Sequence, residues 1–309
     1  MSTIKNSKPI LVTGSHRSGS TWTGRIISAA PHVGYIHEPF NIGINTGVNT
    51  KPMGYWFRYI SAENQDDYYP ALNRVFQYEY PFCRNILRAG TLKNAARITR
   101  TQGLSLLHKV NNDRPLIKDP IAIFSAEWLH ATFGMNVLVL IRHPAAFCSS
   151  LKIKNWKFDF NNLLQQPLLM DKYLYPFEEA IIEYAENNRT IIEQATLLWN
   201  CIHHVISIYK EKYPGWLFIR HEDLSIDPVN QFHLIFKTFD LEFTAKVKNK
   251  IHESSGAHNP VEQLQKSPFK RNSKENIRNW KRRLTKEEIY LIRNKTARIA
   301  GLFYTEYEW

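Results

Sequence analysis

Short apolar runs recur along this 309-residue chain, and most are followed by a stretch with helical spacing. Continuous apolar runs that alternate with helices are typical of parallel strands buried on both faces. The sequence therefore predicts an α/β fold of three layers, with a central parallel sheet flanked by helices. The predicted strands are residues 9–13, 33–36, 115–118, 136–141 and 215–220, and the predicted helices are residues 21–30, 121–132, 144–151 and 228–239.

Two long segments interrupt this alternation. Residues 41–113 contain no clear strand, and ten of the 28 residues from Tyr55 to Phe82 are aromatic. Residues 152–177 place further aromatic side chains among lysines. Core packing is the favoured role for most of these rings, although insertions in α/β enzymes also build the substrate side of a site. We predict one domain over residues 1–309, with helical and aromatic insertions at about 41–113 and 152–177.

The net charge of the chain is +12 and is unevenly distributed. Residues 263–298 hold twelve Lys or Arg against three Glu, so this basic segment carries nine of the net positive charges. Clustered positive charge attracts anionic ligands, although a solvated helix face can have the same composition. No apolar run reaches the about 20 residues that span a bilayer, so no transmembrane segment is expected. Three scattered cysteines favour a reducing compartment, and the cytoplasm is the expected location.

A glycine-rich loop, GSHRSGST, follows the first predicted strand. Gly14 and Gly19 have the spacing of a Walker A loop, G-x-x-x-x-G-K-[ST], whose amides and helix N-terminus bind phosphate. Ser20 stands where a nucleoside-triphosphatase has its lysine, and Arg17 is the cation of the loop. No strand ends in a convincing Walker B aspartate, since Asp119 precedes a proline. The loop predicts a P-loop-type fold that suits a shorter anion than a Mg²⁺-bound triphosphate.

A second candidate phosphate contact follows the fourth predicted strand. Arg142 ends that strand, and Ser150 lies eight residues on, in RHPAAFCSS. Pro144 is a favoured first residue of a helix, so Ser150 is expected about two turns into it, with its hydroxyl on the side of Arg142. An arginine and a serine placed in this way can bind a second phosphate.

The two motifs together resemble the sulfotransferases that use 3′-phosphoadenosine 5′-phosphosulfate (PAPS). In that family a P-loop relative binds the 5′-phosphosulfate, and an arginine with a serine eight residues on binds the 3′-phosphate. Four further stretches resemble the family, the first two its carbohydrate-type members: YIHEPFN, LIKDPIAI, FIRHEDLSIDP and FKRNSKENIRNWKRRLTKEE. The resemblance implies a PAPS-dependent sulfotransferase, similar to carbohydrate-type and bacterial members, that releases 3′,5′-adenosine bisphosphate (PAP).

The resemblance also implies a set of site residues. The implied cofactor-binding residues are Arg17, Ser18, Gly19, Ser20, Thr21 and Trp22 for the 5′-phosphosulfate, and Arg142, Ser150 and Arg271 for the 3′-phosphate. The implied catalytic residues are Glu38, Arg17 and Lys118. Lys270 or Lys274 can take the place of Arg271. A single leaving phosphate can be held by one cation and the loop amides, so no metal is expected.

Glu38 is the candidate general base that removes the proton of the attacking hydroxyl. We expect it at the end of the second strand, beside the strand that feeds the phosphate loop, with His37 turned away by strand alternation. His37 is the rival base. Two alternatives stay open: Glu38 can form an ion pair with Arg17 or Lys118 and only order the site, and Lys118 can merely close its strand. Asp119 is expected to cap a helix or form a salt bridge.

The predicted reaction is transfer of a sulfuryl group from PAPS to an acceptor hydroxyl, on a carbohydrate or a glycolipid. A P-loop small-molecule kinase is the main alternative, but it needs Mg²⁺ and the missing lysine. A module that binds nucleic acid or another polyanion would use the basic segment. That module leaves the phosphate loop and Arg142 unexplained, so no nucleic-acid partner is expected. The three His-Glu pairs do not continue as H-E-x-x-H and predict no zinc site.

Overall fold

The computed structural model describes residues 8–43, 51–256, 259–260 and 272–309. A sheet of five parallel strands lies at the centre, in the order β2-β3-β1-β4-β5. The strands are β1 (Ile10–Gly14), β2 (Val33–His37), β3 (Arg114–Lys118), β4 (Asn136–Ile141) and β5 (Leu217–Arg220). Helices cover both faces, which confirms the predicted three-layer α/β fold.

The helices connect the strands, fill the two insertions, and follow β5 to the end of the chain. In the first half of the chain they are α1 (Ser20–Ile27), α2 (Tyr69–Phe76), α3 (Phe82–Ile86), α4 (Leu92–Val110), α5 (Ala126–Phe133), α6 (Pro144–Lys154), α7 (Asn161–Leu164) and α8 (Pro167–Leu169). In the second half they are α9 (Glu178–Glu186), α10 (Ile191–Lys212), α11 (His221–Ile226), α12 (Pro228–Thr238), α13 (Ala245–Ser255), α14 (Ser273–Asn276), α15 (Trp280–Arg283) and α16 (Lys286–Ala300). The described part of the first insertion contains α2, α3 and α4, joined by turns and loops.

The position of β2 in the sheet differs from the expected one. β2 pairs with β3, through Val33 beside Arg114, and β3 pairs with β1. The expectation that β2 lies beside β1 was therefore wrong, because β3 separates them. The burial of the strands agrees with this order: β1 is buried at every residue, whereas β2 is partly exposed at Tyr35 and His37 and forms an edge.

Two hydrophobic clusters pack on opposite faces of the sheet. Along β1, Val12 belongs to the cluster that contains residues of α1, α12 and α13, whereas Leu11 belongs to the cluster of α6 and α10. This alternation explains why the strands are apolar throughout. The carboxyl ends of all five strands meet at one edge, which is where ligands of open parallel sheets bind. No helix of the described chain is both long and apolar enough to cross a bilayer.

Candidate active site

The phosphate loop (residues 14–21) needs glycine at two positions. Gly14 has a φ of 129°, and a Cβ there would overlap the Leu140 carbonyl of β4. Gly19, the N-cap of α1, has a φ of 85°, and a Cβ there would lie 2.5 Å from His221 Nδ1. Glycine is the residue that tolerates both the backbone angles and the close approach. The loop is thereby held against the ends of β4 and β5.

The start of α1 has the chemistry of an anion site. No side chain among the described residues caps the helix, and its first turn contains no acidic residue. The Ser18 hydroxyl is fully buried and has no hydrogen-bond partner in the described part of the chain. The N–H groups of a helix N-terminus carry partial positive charge and point at a ligand. A buried donor beside them fits a ligand with acceptor oxygens, such as a phosphosulfate.

Arg17 joins the phosphate loop to β4 and α6. Its Nε donates to the Ser150 hydroxyl at 2.9 Å, and its carbonyl accepts a hydrogen bond from the Arg142 guanidinium. Its guanidinium carbon lies 5.4 Å from the centre of the Trp156 ring, within range of a cation–π contact. Pro144 begins α6, as predicted, and this register turns Ser150 toward the loop. The three predicted phosphate-binding side chains Arg17, Arg142 and Ser150 therefore lie together.

Glu38 and Lys118 form an ion pair where β2 and β3 end. Glu38 follows the last residue of β2 with a φ of 43°, and its N–H donates to the Lys118 carbonyl at 3.0 Å. The other carboxylate oxygen accepts a hydrogen bond from Asn41 Nδ2 at 2.5 Å. The Lys118 side chain is fully buried, whereas that of Glu38 is 12% exposed. Of the two ion-pair partners left open for Glu38, the structure shows Lys118.

This ion pair sets the ionisation of its two groups. Burial alone would raise the pKa of Glu38, but the Lys118 charge and hydrogen bonds from Lys118 and Asn41 bring that pKa below its usual value. Burial lowers the pKa of the Lys118 amine, and the Glu38 charge opposes this change. Glu38 is therefore ionised at neutral pH, as a general base must be.

His37 lines the same cavity as Glu38, contrary to the expected alternation. The reason is that Glu38 lies beyond the end of β2 with a left-handed φ, so strand alternation does not govern this pair. Burial and the nearby Lys118 charge lower the pKa of His37, which keeps its imidazole neutral at neutral pH. Position alone does not separate the two candidate bases.

Asp119 has the capping role that the sequence predicts. Its side chain is fully buried, and Oδ1 accepts from the Ile121 N–H at 3.0 Å. Oδ2 accepts from the Phe40 N–H at 2.7 Å, so Asp119 also holds the segment that follows Glu38.

We expect Asp119→Ala to lower the free energy of unfolding by about 2–3 kcal/mol, because it leaves two buried N–H groups without acceptors. Urea unfolding of the two proteins measures the difference. Asp227→Ala is the matched control, since Asp227 is an exposed cap of α12 with a 3.4 Å contact to the Asn230 N–H. Its loss should stay below about 1 kcal/mol. Equal losses would contradict the assigned role.

A cavity of about 950 Å³ brings these groups together along the carboxyl edge of the sheet. Arg17, Glu38 and Arg142 line it, whereas Ser18, Lys118 and Ser150 lie behind its wall. On one side of the phosphate loop the wall is mostly polar: Trp22, His221, Ser225, Ser254, Ser273 and Asn276. On the other side it is rich in aromatic and apolar groups: Trp56, Phe57, Ile121, Trp156 and Phe158. The volume suits a nucleotide-sized ligand together with a second small molecule.

The profile of the Sulfotransferase family matches residues 9–245, from β1 through α12. The chain belongs to the sulfotransferase family. Membership of this family supports a sulfotransferase enzyme. No curated protein sequence matches the chain.

Solved sulfotransferase structures resemble this sulfotransferase at low identity. The sulfotransferase domain from the curacin biosynthetic pathway has a TM-score of 0.49 at 14% identity, over 97% of this chain and 99% of that chain. The sulfotransferase domain of the Synechococcus olefin synthase has a TM-score of 0.47 at 14% identity, over 98% of each chain. A Mycobacterium avium sulfotransferase has a TM-score of 0.46 at 11% identity, over 97% of this chain and 78% of that chain.

Some residues of the sulfotransferase cavity do not stand out in the sequence. His221 stands in the FIRHEDLSIDP stretch but was not predicted as a site residue, yet it follows β5 directly, as Arg142 follows β4. That position after a strand is the signal that points to it. Trp156 lies in a loop and carries no local motif, and Asn41 ends the YIHEPFN stretch without having been singled out. No group of three His, Cys, Asp or Glu side chains is arranged as metal ligands in the described ranges.

The C-terminal basic segment reaches the cavity of the sulfotransferase in part. Arg271 and Lys270 lie outside the described residues, so the predicted contact of Arg271 with a 3′-phosphate stays a prediction. Lys274 belongs to α14, but this helix lines the cavity through its neighbours Ser273 and Asn276. The tryptophan of the segment, Trp280, is 4% exposed and stacks on His143, which makes it a core residue.

Proposed function

We propose that this sulfotransferase moves the sulfuryl group of PAPS to an acceptor hydroxyl. The observation that carries the proposal is that Arg17, bound to Ser150 and Arg142, lines the same cavity as the Glu38 carboxylate. Sulfuryl transfer needs positive charge on the side of the leaving phosphate and a base on the side of the acceptor. The ends of β1 and β2 supply one of each.

PAPS supplies an activated sulfuryl group, and the nucleotide that remains after the transfer is released as PAP. The residues proposed to hold it are Arg17, Ser18, Gly19, Ser20, Thr21 and Trp22 at the 5′-phosphosulfate, with Arg142, Ser150 and Arg271 at the 3′-phosphate. The unpartnered Ser18 hydroxyl and the uncapped start of α1 support this assignment. The Trp22 indole donates to Ser254 at 2.8 Å and packs edge-to-face on Phe232, which fixes its plane at the cavity wall.

Three side chains carry the proposed chemistry. Arg17 stabilises the charge that develops on the oxygen of the leaving phosphate. Glu38 accepts the proton of the acceptor hydroxyl as that oxygen attacks sulfur. The fully buried Lys118 amine forms an ion pair with Glu38, so we assign it to orienting the Glu38 carboxylate and keeping it ionised.

The proposed acceptor is a carbohydrate or a glycolipid. The stretches around Glu38 and Lys118 resemble those of carbohydrate-type sulfotransferases. The rings of Trp56 and Trp156 at the cavity offer flat apolar faces to a sugar ring, and Asp159 at the same wall offers a carboxylate to sugar hydroxyls. This mixture of flat apolar and polar groups suits a sugar, which has both kinds of surface.

The state of the cysteines supports a proposed cytoplasmic location. Cys83 is exposed, Cys148 and Cys201 are buried, and all three are free thiols. Free thiols of this kind persist where cellular reductants act.

Label transfer tests the proposed reaction. The full chain is incubated with PAPS that carries labelled sulfur, together with simple sugars, oligosaccharides, glycolipids and phenols as separate acceptors. We expect labelled carbohydrate or glycolipid and an equal amount of PAP, without added Mg²⁺. Label on phenols alone would contradict the acceptor class. Consumption of ATP with Mg²⁺, and none of PAPS, would contradict the reaction and favour a kinase.

Arg142→Ala should weaken PAP binding by about 10- to 100-fold, because it removes a charge-assisted contact with the 3′-phosphate. Calorimetric titration measures this change. Adenosine 5′-phosphate, which lacks the 3′-phosphate, should lose much less affinity. Ser150→Ala should show the same preference with a smaller effect. Equal losses for both nucleotides would mean that Arg142 only supports the phosphate loop.

A further inference from the structure

Helix α4 (Leu92–Val110) presents an apolar face to solvent. Leu92 is 91% exposed and Val110 is 82% exposed, at opposite ends of the helix. Leu106 and Leu107, between them, are 50% and 58% exposed. Steps of three and four residues connect these positions through exposed Ala96, Thr99 and Gly103, so they form one stripe along the helix. We call this stripe the α4 face.

The opposite side of α4 holds the helix to the protein. Ile98 is the buried residue of α4. His108 Nδ1 lies 2.7 Å from Asp113 Oδ2, and its ring lies 5.2 Å from that of Tyr78. Tyr78 in turn donates to the Gly34 carbonyl of the edge strand β2. Packing within the described chain therefore accounts for the inner side of α4 and leaves the α4 face uncovered by any described residue.

The surroundings of the α4 face are mostly positive, with Glu79 paired to Lys109 at 3.3 Å. Residues 81–112 contain six Lys or Arg and no Asp or Glu. These basic residues are Arg84, Arg88, Lys93, Arg97, Arg100 and Lys109, and all six are exposed. At about 100° per residue, Lys93, Arg97 and Arg100 flank the α4 face along one border. The surface thus combines exposed leucine and valine with a net positive charge.

This combination selects among the possible partners. A second copy of the chain would place like charges opposite each other, and the charge would oppose its docking. A nucleic acid would bind the charges but leave the leucines in contact with water. The interface of a membrane that contains anionic lipid accepts both, since apolar side chains enter its acyl boundary while Lys and Arg meet its head groups.

We propose that the α4 face docks the sulfotransferase on the surface of a membrane that contains anionic lipid. Helix α4 lies in the plane of this surface and does not cross it. The proposal is independent of the donor and the acceptor, because none of the residues of the α4 face lines the cavity.

Co-sedimentation of the full chain with vesicles tests the proposal. We expect binding to vesicles of phosphatidylcholine with phosphatidylglycerol and little binding to phosphatidylcholine alone. The double variants Leu92→Ser/Val110→Ser and Arg97→Glu/Arg100→Glu should each weaken binding by at least about tenfold. Both change exposed side chains, so the unfolding temperature and the response to PAP should stay unchanged. The matched controls are Tyr290→Ser/Leu302→Ser and Lys237→Glu, which alter exposed residues elsewhere.

Three results would overturn the docking proposal. The first is that the unchanged chain binds neither kind of vesicle. The second is that the α4 variants bind as well as the controls do. The third is a dimer in solution that Leu92→Ser/Val110→Ser dissociates, without vesicle binding, because it would make the α4 face an interface between two copies.

Discussion

Glu38→Gln is expected to lower kcat by at least about 100-fold while PAP binding stays normal. The substitution keeps the shape of the side chain and removes its basicity, and a positioned general base typically contributes about 10²–10⁴-fold. The amide oxygen of glutamine can still accept the Lys118 hydrogen bond, so the site should remain ordered. Steady-state rates at saturating PAPS, with PAP binding measured in parallel, give the result.

Two further variants show whether this loss is specific to Glu38. His37→Ala removes the rival base from the same cavity wall and should cost far less. Asp159→Asn removes another carboxylate of that wall, the one assigned to acceptor hydroxyls, so it should raise the KM of the acceptor and lower kcat by less than about tenfold. If His37→Ala abolishes turnover while Glu38→Gln stays active, histidine is the base and the assignment of Glu38 is wrong.

Arg17→Ala is expected to lower kcat by about 100-fold or more, the scale on which loss of one transition-state donor acts. Arg17 is the cation of the phosphate loop, and its Ser150 bond and Trp156 contact hold it at the cavity. Arg17→Lys should retain part of the rate, because it keeps the charge but not the planar set of donors. Single-turnover rates with PAPS separate this step from release of PAP.

Arg25→Ala also removes one positive charge and is the matched control for Arg17→Ala. Arg25 lies on α1, is exposed, and stacks over Tyr35 at 4.6 Å without lining the cavity. We expect kcat of Arg25→Ala to stay close to that of the unchanged chain. An unchanged kcat in Arg17→Ala, with weaker PAPS binding, would mean that Arg17 binds PAPS but does not stabilise the transition state.

Local sequence patterns were sufficient to predict the strands. β4 (Asn136–Ile141) has the predicted bounds at both ends, and the other strands agree to within two residues. The central strands β1 and β4 are buried on both faces, so the apolar run itself marks their limits. The loop after β1 and the arginine after β4 could be found in the same way, since both follow such a run directly.

Contacts between distant parts of the chain could not be predicted from local sequence patterns. The place of β2 at an edge depends on its pairing with β3, and no local pattern encodes which strand is the neighbour. Glu38 and Lys118 lie 80 residues apart in sequence. The sequence therefore allowed their ion pair as one alternative but could not select it. The His221 ring fits beside Gly19, so the start of α11 contacts the start of α1, and spacing does not reveal this contact.

Thermal unfolding with added nucleotides tests most directly whether this sulfotransferase uses PAPS. At 100 times its Kd, PAP should stabilise the protein by about 2.7 kcal/mol, which raises the unfolding temperature by several degrees. The 3′-phosphate should account for much of this shift, so adenosine 5′-phosphate at the same concentration should produce less, and ATP with Mg²⁺ little. Stabilisation by ATP with Mg²⁺, and none by PAP, would contradict the proposed donor and favour a kinase.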